Sequence, residues 1–148
     1  MSRYPVWWDT TITIYNKHTD TVTQQITWYR TVVLNCFWKD TGNKVKLDDV
    51  VLDTNGIICR IPENPNFKEK FEWEEIPSAE KSGFFTLAVG DILIKGEVED
   101  EVDEYLKGHR SSDLLKKYKD IRGCMQIDNT SINVGPGRVD PHYWARGV

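Results

Sequence analysis

Thr10-Thr-Ile-Thr-Ile-Tyr-Asn16 and, after a polar break, Trp28-Tyr-Arg-Thr-Val-Val-Leu-Asn-Cys-Phe-Trp38 decide the fold. In the first stretch Ile12 and Ile14, with Val6 before them, point one way. Thr11, Thr13 and Tyr15 point the other. Alternation with a period of two is the mark of a half-buried strand. Asn16 to Thr21 is polar turn material. The second stretch, from Gln25, is dense in β-branched and aromatic residues and reads as one bent strand or two short ones. Together they predict a β-hairpin.

Working outward, turn signals follow at Asp40-Thr-Gly-Asn43 and Asp53-Thr-Asn-Gly56, and Asn-Gly suits a tight hairpin turn. Between them Val45, Leu47, Val50 and Leu52 alternate across Asp48-Asp49, a short hairpin. Ile57 to Ile61 is an apolar strand that Pro62-Glu-Asn-Pro65 breaks. Asn64 to Gly83 is charged, holds Pro65 and Pro77, and carries Phe67, Phe71 and Trp73. It reads as an extended loop insertion outside the core. Phe84 to Gly90 is apolar again, Gly90-Asp91 bends, and Asp91 to Lys95 is a strand.

Glu97 to Glu104 holds six acids: Glu97, Glu99, Asp100, Glu101, Asp103 and Glu104. Val98, Val102 and Tyr105 allow one face of a short helix there, although a solvated surface segment is the plainer reading. Ser111 to Tyr118 is a clearer helix. Ser111 or Ser112 can cap it, with Asp113 near the positive end and Lys116 and Lys117 near the negative end. Gly123 to Val134 reads as a hairpin around Asp128-Asn129, Gly135-Pro-Gly137 as a turn, and Pro141 to Val148 as a final strand. The expectation is a mostly β protein, a small β-barrel or sandwich of seven to nine short strands with one short helix. It forms a single domain over 1–148, with the loop at 64–83 and an acidic segment plus helix at 97–118.

The 148 residues suit one domain with a real core. Formal net charge is -4, with 19 Lys and Arg against 23 Asp and Glu. A dedicated nucleic-acid binder needs basic residues for phosphate contacts, so that class is disfavoured. Three cysteines, Cys36, Cys59 and Cys124, lie far apart without metal-ligand spacing and read as buried thiols of a cytoplasmically made protein. No apolar run reaches membrane-span length, and Met-Ser-Arg-Tyr-Pro does not read as a signal peptide. No phosphate loop, nucleophile elbow or zinc-protease motif is present. His18 and His109 stand in polar stretches and His142 in a strand, so Cys–His catalysis is not expected. The chain reads as a non-enzyme with no cofactor and no metal.

Ile12 to Tyr15, Tyr29 to Val33 ending in Trp38, Gly90 to Gly96, and His142-Tyr-Trp-Ala-Arg146 occur in the order found in small "minor capsid" or head–tail joining proteins of siphophages and prophages of Gram-positive bacteria. The chain resembles that family along nearly its whole length. The resemblance implies a β-barrel forming a twelve- or six-subunit ring in the virion neck, made in the bacterial cytoplasm. Its head-side partner would be the portal or adaptor ring, its tail-side partner a tail completion or tail terminator ring. Packaged DNA would pass through without sequence recognition, and no membrane is involved. Head closure is the leading slot. Another neck slot (adaptor, tail completion or tail terminator) and a monomeric binding module are the alternatives.

On that reading the acids of 97–104 line the channel and repel DNA. Phe67, Phe71 and Trp73 form a gating or inter-ring loop. Trp7, Trp8, His142, Tyr143 and Trp144 contribute to subunit interfaces, with the N-terminal arm and the last strand acting by strand addition.

Overall fold

The structure, a computed structural model, describes residues 4–40, 44–47, 50–53, 56–119 and 121–148. Six strands close a barrel: β1 (Thr10–Thr19), β2 (Ile26–Asp40), β5 (Ile57–Pro62), β8 (His142–Gly147), β7 (Cys124–Asn133) and β6 (Ile92–Lys95), in that spatial order. All their pairings are antiparallel. A separate two-stranded sheet holds β3 (Lys44–Leu47) and β4 (Val50–Asp53), with Val45 opposite Leu52 and Leu47 opposite Val50. The mostly β barrel expected from the sequence is the observed fold. The turn residues 41–43, the Asp48-Asp49 pair and residues 54–55 of the Asn-Gly turn lie outside the described residues.

Strand β1 runs further than its apolar alternation. Asn16, Lys17 and His18 stay in the ladder opposite Tyr29, Trp28 and Thr27. The turn falls at residues 20–25, where the Asp20 carboxylate accepts from the Val22 and Thr23 amides. This is an Asx-type turn that Asn16 to Thr21 did not locate. Strand β2 is one bent strand. Its register shifts between the Thr10–Cys36 and Ile12–Val33 pairs, and Asn35 adopts a φ of 61° there. An extra residue in one strand bends it and sharpens the twist.

The interior packs Ile12, Ile14, Val33, Leu93, Met125 and Ile127. A second cluster lies outside the barrel wall. Tyr15, Ile92, Ile94 and Cys124 meet Val98, with Leu114 and Tyr118 of α3 (Ser111–Lys119). The face of β1 read as outward is therefore also buried: Thr13 and Tyr15 are as covered as Ile12 and Ile14. The expected helix is in place, and the Asp113 carboxylate accepts from the Arg110 amide at its start (3.1 Å).

Two other expectations change, and at 97–104 the helical alternative falls. Segment 64–83 is no loop: it holds α1 (Lys70–Glu75) and α2 (Ser78–Lys81). Trp73 on α1 is wholly buried. Residues 97–104 are not helical; the chain crosses the barrel as an extended strap. Asp128-Asn129 is not a hairpin turn. Strand β7 continues through it with a bulge between Ile127 and Asn129, against Gly147 and Arg146 of β8. A local turn signal is absorbed as a bulge because β8 lies alongside to hold the strand. The three cysteines are free and buried. Closure brings Cys36 and Cys59 together, and burial pushes the Cys59 thiol well up, with the neighbouring Cys36 adding to the shift. No described helix is long and apolar enough to cross a membrane.

Candidate functional site

The strap begins at Gly96, whose φ of +94° turns the chain out of β6. Thr13 then acts as a double clasp. Its hydroxyl donates to the Gly96 carbonyl (2.8 Å) and accepts from the Val98 amide (3.0 Å). Arg30 Nε–H donates to the Val98 carbonyl (2.6 Å), and the Tyr15 hydroxyl to the Asp100 carbonyl (2.7 Å). Side chains of β1 and β2 thus hold the acidic segment against the barrel.

The six acids divide into two kinds. Asp100 accepts from Lys117 Nζ (2.7 Å) and from the Tyr118 hydroxyl, tying the strap to α3. Burial pushes the Asp100 carboxyl up, but those two bonds outweigh it and hold it below its usual range. Glu104 accepts from Trp28 Nε1–H (2.9 Å) and from the Ser111 amide (3.1 Å). Glu97, Glu99, Glu101 and Asp103 are exposed. Asp100 and Glu104 are thus tied to distant elements, Asp103 accepts only from the nearby Tyr105 amide (2.9 Å), and four acids remain exposed to solvent.

Glu101 and Asp103 line one side of an open cleft of about 520 Å³, with Tyr105. Gln25, Trp28 and Arg30 line the other side. The Ile26 amide donates to the Tyr105 hydroxyl across it (2.9 Å).

The proposed gating aromatics sit differently from one another. Phe67 stacks on Tyr143 (3.7 Å between centroids) and meets Phe85 edge-on. The Lys68 amide donates to the Phe85 carbonyl, and the Phe85 amide to the Asn66 carbonyl. Trp73 packs edge-on to Tyr29 and His18, with Lys70 and Lys81 ammoniums 4.7 and 4.4 Å from its ring centre. Lys81 is buried, and its Nζ donates to the Trp73 and Glu74 carbonyls at the end of α1 (2.6 and 3.2 Å). Burial lowers the Lys81 pKa. His18, expected on the surface, is half-buried and joins Lys70 on Glu74. Of the three aromatics only Phe71 is exposed, at 65%.

The interface candidates also divide. Trp8 is buried, stacked on Tyr4 (5.1 Å) and edge-on to His142 (5.9 Å). Tyr143 is buried and Trp144 half-buried, while Trp7 is 65% exposed. Strand β8 pairs with β5 on one edge and β7 on the other, so strand addition to it is closed. Barrel closure consumes the edge that a terminal strand would otherwise offer.

A polar network the sequence did not announce centres on Asp91. Its carboxylate accepts from Asn16 Nδ2 (2.9 Å), the Lys17 amide (2.9 Å) and the Ala88 amide (3.0 Å). Asn16 also exchanges bonds with the Thr86 backbone, donating from Nδ2 at 2.6 Å and accepting at 3.2 Å. Burial pushes the Asp91 carboxyl up to about 6 against these bonds. The network fastens the 84–91 connection to β1. Among the described residues no group of three or more His, Cys, Asp or Glu could hold a metal ion.

A family model described as "Family of unknown function (DUF6751)" matches residues 7–147. No curated protein and no solved structure matches the chain.

Proposed function

We propose that this chain, which belongs to the DUF6751 family, is a structural subunit of a phage neck ring, in the head-closure slot. Other neck slots are the nearest alternatives. The observation that carries the reading is the acidic strap: a segment clasped to the barrel through Thr13, Arg30, Asp100 and Glu104 that presents Glu97, Glu99, Glu101 and Asp103 to solvent. A fixed array of carboxylates repels DNA over about 8 Å at physiological salt. That suits a ring through which packaged DNA must slide without being gripped. The sequence resemblance to head–tail joining proteins supports the same role, and a small closed barrel suits a ring subunit.

In this reading Glu97 and Glu99, which stand outside the cleft, face the channel. The aromatic cap of 67–85 braces the barrel, leaving Phe71 and Trp7 as apolar contacts for neighbouring rings. The test is deletion of the reading frame in the producing phage or prophage, followed by electron microscopy of the lysate. Separate tails with heads that have lost their DNA are expected. Complete virions refute the role.

The cleft beside Trp28 and Tyr105 favours a second reading, a monomeric binding module, since aromatic side chains commonly line ligand sites. Ligand-dependent stabilisation of a monomer would support it.

A further inference from the structure

The end of β2 shares with β5, β8 and β7 an outer face that no described helix covers. Cys59, Ile61, Tyr143 and Ala145 point into the barrel core. Residues one step along each strand therefore point outward. The registers set them in two rows. Lys39, Ile58, Arg146 and Asn129 stand side by side. Phe37, Arg60, Trp144 and Ser131 form the next row. Trp8 of the N-terminal arm borders the face at Phe37 (6.1 Å between centroids). The described helices pack elsewhere. Helix α3 lies on the wall of Tyr15, Ile92 and Ile94, and α1 sets Trp73 against Tyr29 and His18. Lys81 of α2 bonds to the end of α1.

The charged residues of both rows are all cations: Lys39, Arg60 and Arg146. Among the described residues Lys39 and Arg60 have no carboxylate partner. Arg60 lies over the Phe37 ring (5.0 Å), and its Nε is buried without a hydrogen-bond partner. Arg146 meets Asp128 loosely, at 3.8 Å, with both side chains nearly half exposed. Across the barrel the sign reverses. Strand β8 stands three places from β1 in the closed order, and the strap hangs on β1 and β2. Asp100, Glu101 and Asp103 line the cleft there against one cation, Arg30. Lys117 satisfies Asp100, and the Val98 carbonyl takes Arg30 Nε–H. Glu101 and Asp103 remain exposed. Trp28 and Tyr105 add aromatic faces to the same cleft, and such faces attract cations.

We propose that the outer face of β5 and β8 in one copy docks on the acidic cleft of a second copy, with Lys39 and Arg146 beside Glu101 and Asp103. This rests on the ring-subunit reading and supplies its subunit contact. The spacings agree. Lys39 and Arg146 stand two strand spacings apart, about 10 Å. Glu101 and Asp103 stand two residues apart on the extended strap, about 7 Å, a difference that long, flexible basic side chains take up. Ile58 and Trp144, half-buried among the cations, supply the apolar centre of an interface whose rim is charged. The chain's net charge of -4 disfavours nucleic acid on the same face. Two different surfaces on opposite sides of one barrel make a heterologous, head-to-tail contact, the kind that generates a ring when the rotation closes. Glu97 and Glu99 stay outside it, free to face the channel.

The test is sedimentation of the full chain over a range of concentrations, at low and high salt. Wild type is expected to self-associate, more weakly as salt rises. Lys39→Glu with Arg146→Glu, or Glu101→Lys with Asp103→Lys, should each weaken association about tenfold or more. All four positions are exposed, so far-ultraviolet circular dichroism should be unchanged. An equimolar mixture of the two double variants, and a chain carrying all four changes, should each recover association to within about threefold of wild type. A wild type that stays monomeric, association indifferent to the charge reversals, or failure of either recovery overturns the proposal. So does binding of a fluorescent single-stranded oligonucleotide that Lys39→Glu with Arg146→Glu abolishes, which would assign the face to nucleic acid. Complete virions after deletion refute the neck role alone, and charge-swap recovery would still establish the contact.

Discussion

Replacing Trp73 tests whether 64–83 is a packed cap or a free loop. The ring is 0% exposed, edge-on to Tyr29 and His18, with two ammoniums over its faces. Truncating a buried Trp to Ala costs about 3–5 kcal/mol from lost transfer energy and the cavity left behind. The aromatic pairs put this site at the upper end, since such contacts are worth about 0.5–1.5 kcal/mol beyond area. Trp73→Phe behaves differently. The indole Nε1 is buried without a hydrogen-bond partner, and an unmet donor costs about 1–3 kcal/mol. Phe removes that penalty while giving up part of the packing, so its net cost is about 0–2 kcal/mol. Guanidinium denaturation followed by circular dichroism measures both variants. Amide exchange of wild type adds a measurement that needs no variant to fold: the Trp73, Lys81 and Phe85 amides, bonded to the Glu69, Pro77 and Asn66 carbonyls, should be protected. A Trp73→Ala cost under about 1 kcal/mol, or exchange of those amides at unfolded rates, refutes the packed cap and restores the loop.

Asp91 predicts an inverted pH dependence. Its pKa is about 6 in the fold against 3.8 for the free residue, so between those values the native state binds more protons than the unfolded chain. Stability from this group then falls as pH rises from 3.8 to about 6, by about 3 kcal/mol at about 1.4 kcal/mol per unit. Denaturation midpoints at pH 4 to 7 for wild type and Asp91→Asn should differ in slope by that amount, and parallel slopes would sink the assignment. Gly147 tests the β7 bulge: an added Cβ would fall on the Gln126 carbonyl oxygen, a backbone atom that cannot swing aside. Gly147→Ala should cost about 1–3 kcal/mol or more, whereas Gly108→Ala, with open space around it but a φ of +88°, meets only backbone strain. Thermal melts of the two, with Gly147→Ala no worse than Gly108→Ala, would show that the bulge yields.

Several local signals were legible, although the Asp20 turn and the strand through Asp128-Asn129 were not. The alternation of Ile12 and Ile14, the proline break after Ile61, the bend at Gly90-Asp91 and the charge-graded Ser111–Tyr118 helix all stand in the structure, but that helix begins at Ser111 itself and the bond at its start is to Asp113. So do the buried thiols. The candidate site was legible as a run of acids, but its division was not. Nothing adjacent to Asp100 or Glu104 distinguishes them from Glu99 or Glu101; Lys117, Tyr118 and Trp28 do, from 17 to 76 residues away by position.

Sequence alone determined that this chain is a β protein with an amphipathic helix at Ser111–Lys119, because strand and helix periodicities act over a few residues. Tertiary structure decided everything that needed a second element in place. It covered both faces of β1, because α3 and the strap lie on the wall that alternation marked as outward. It turned the charged 64–83 stretch into a cap, because the β1–β2 hairpin offers Trp73 a place to bury. It closed both edges of β8 and, among the described residues, gave β2 a second strand neighbour only from Phe37 to Asp40, because strand neighbours in a barrel are set by register across the whole chain. Periodicity specifies which residues can be buried; only the closed arrangement specifies against what.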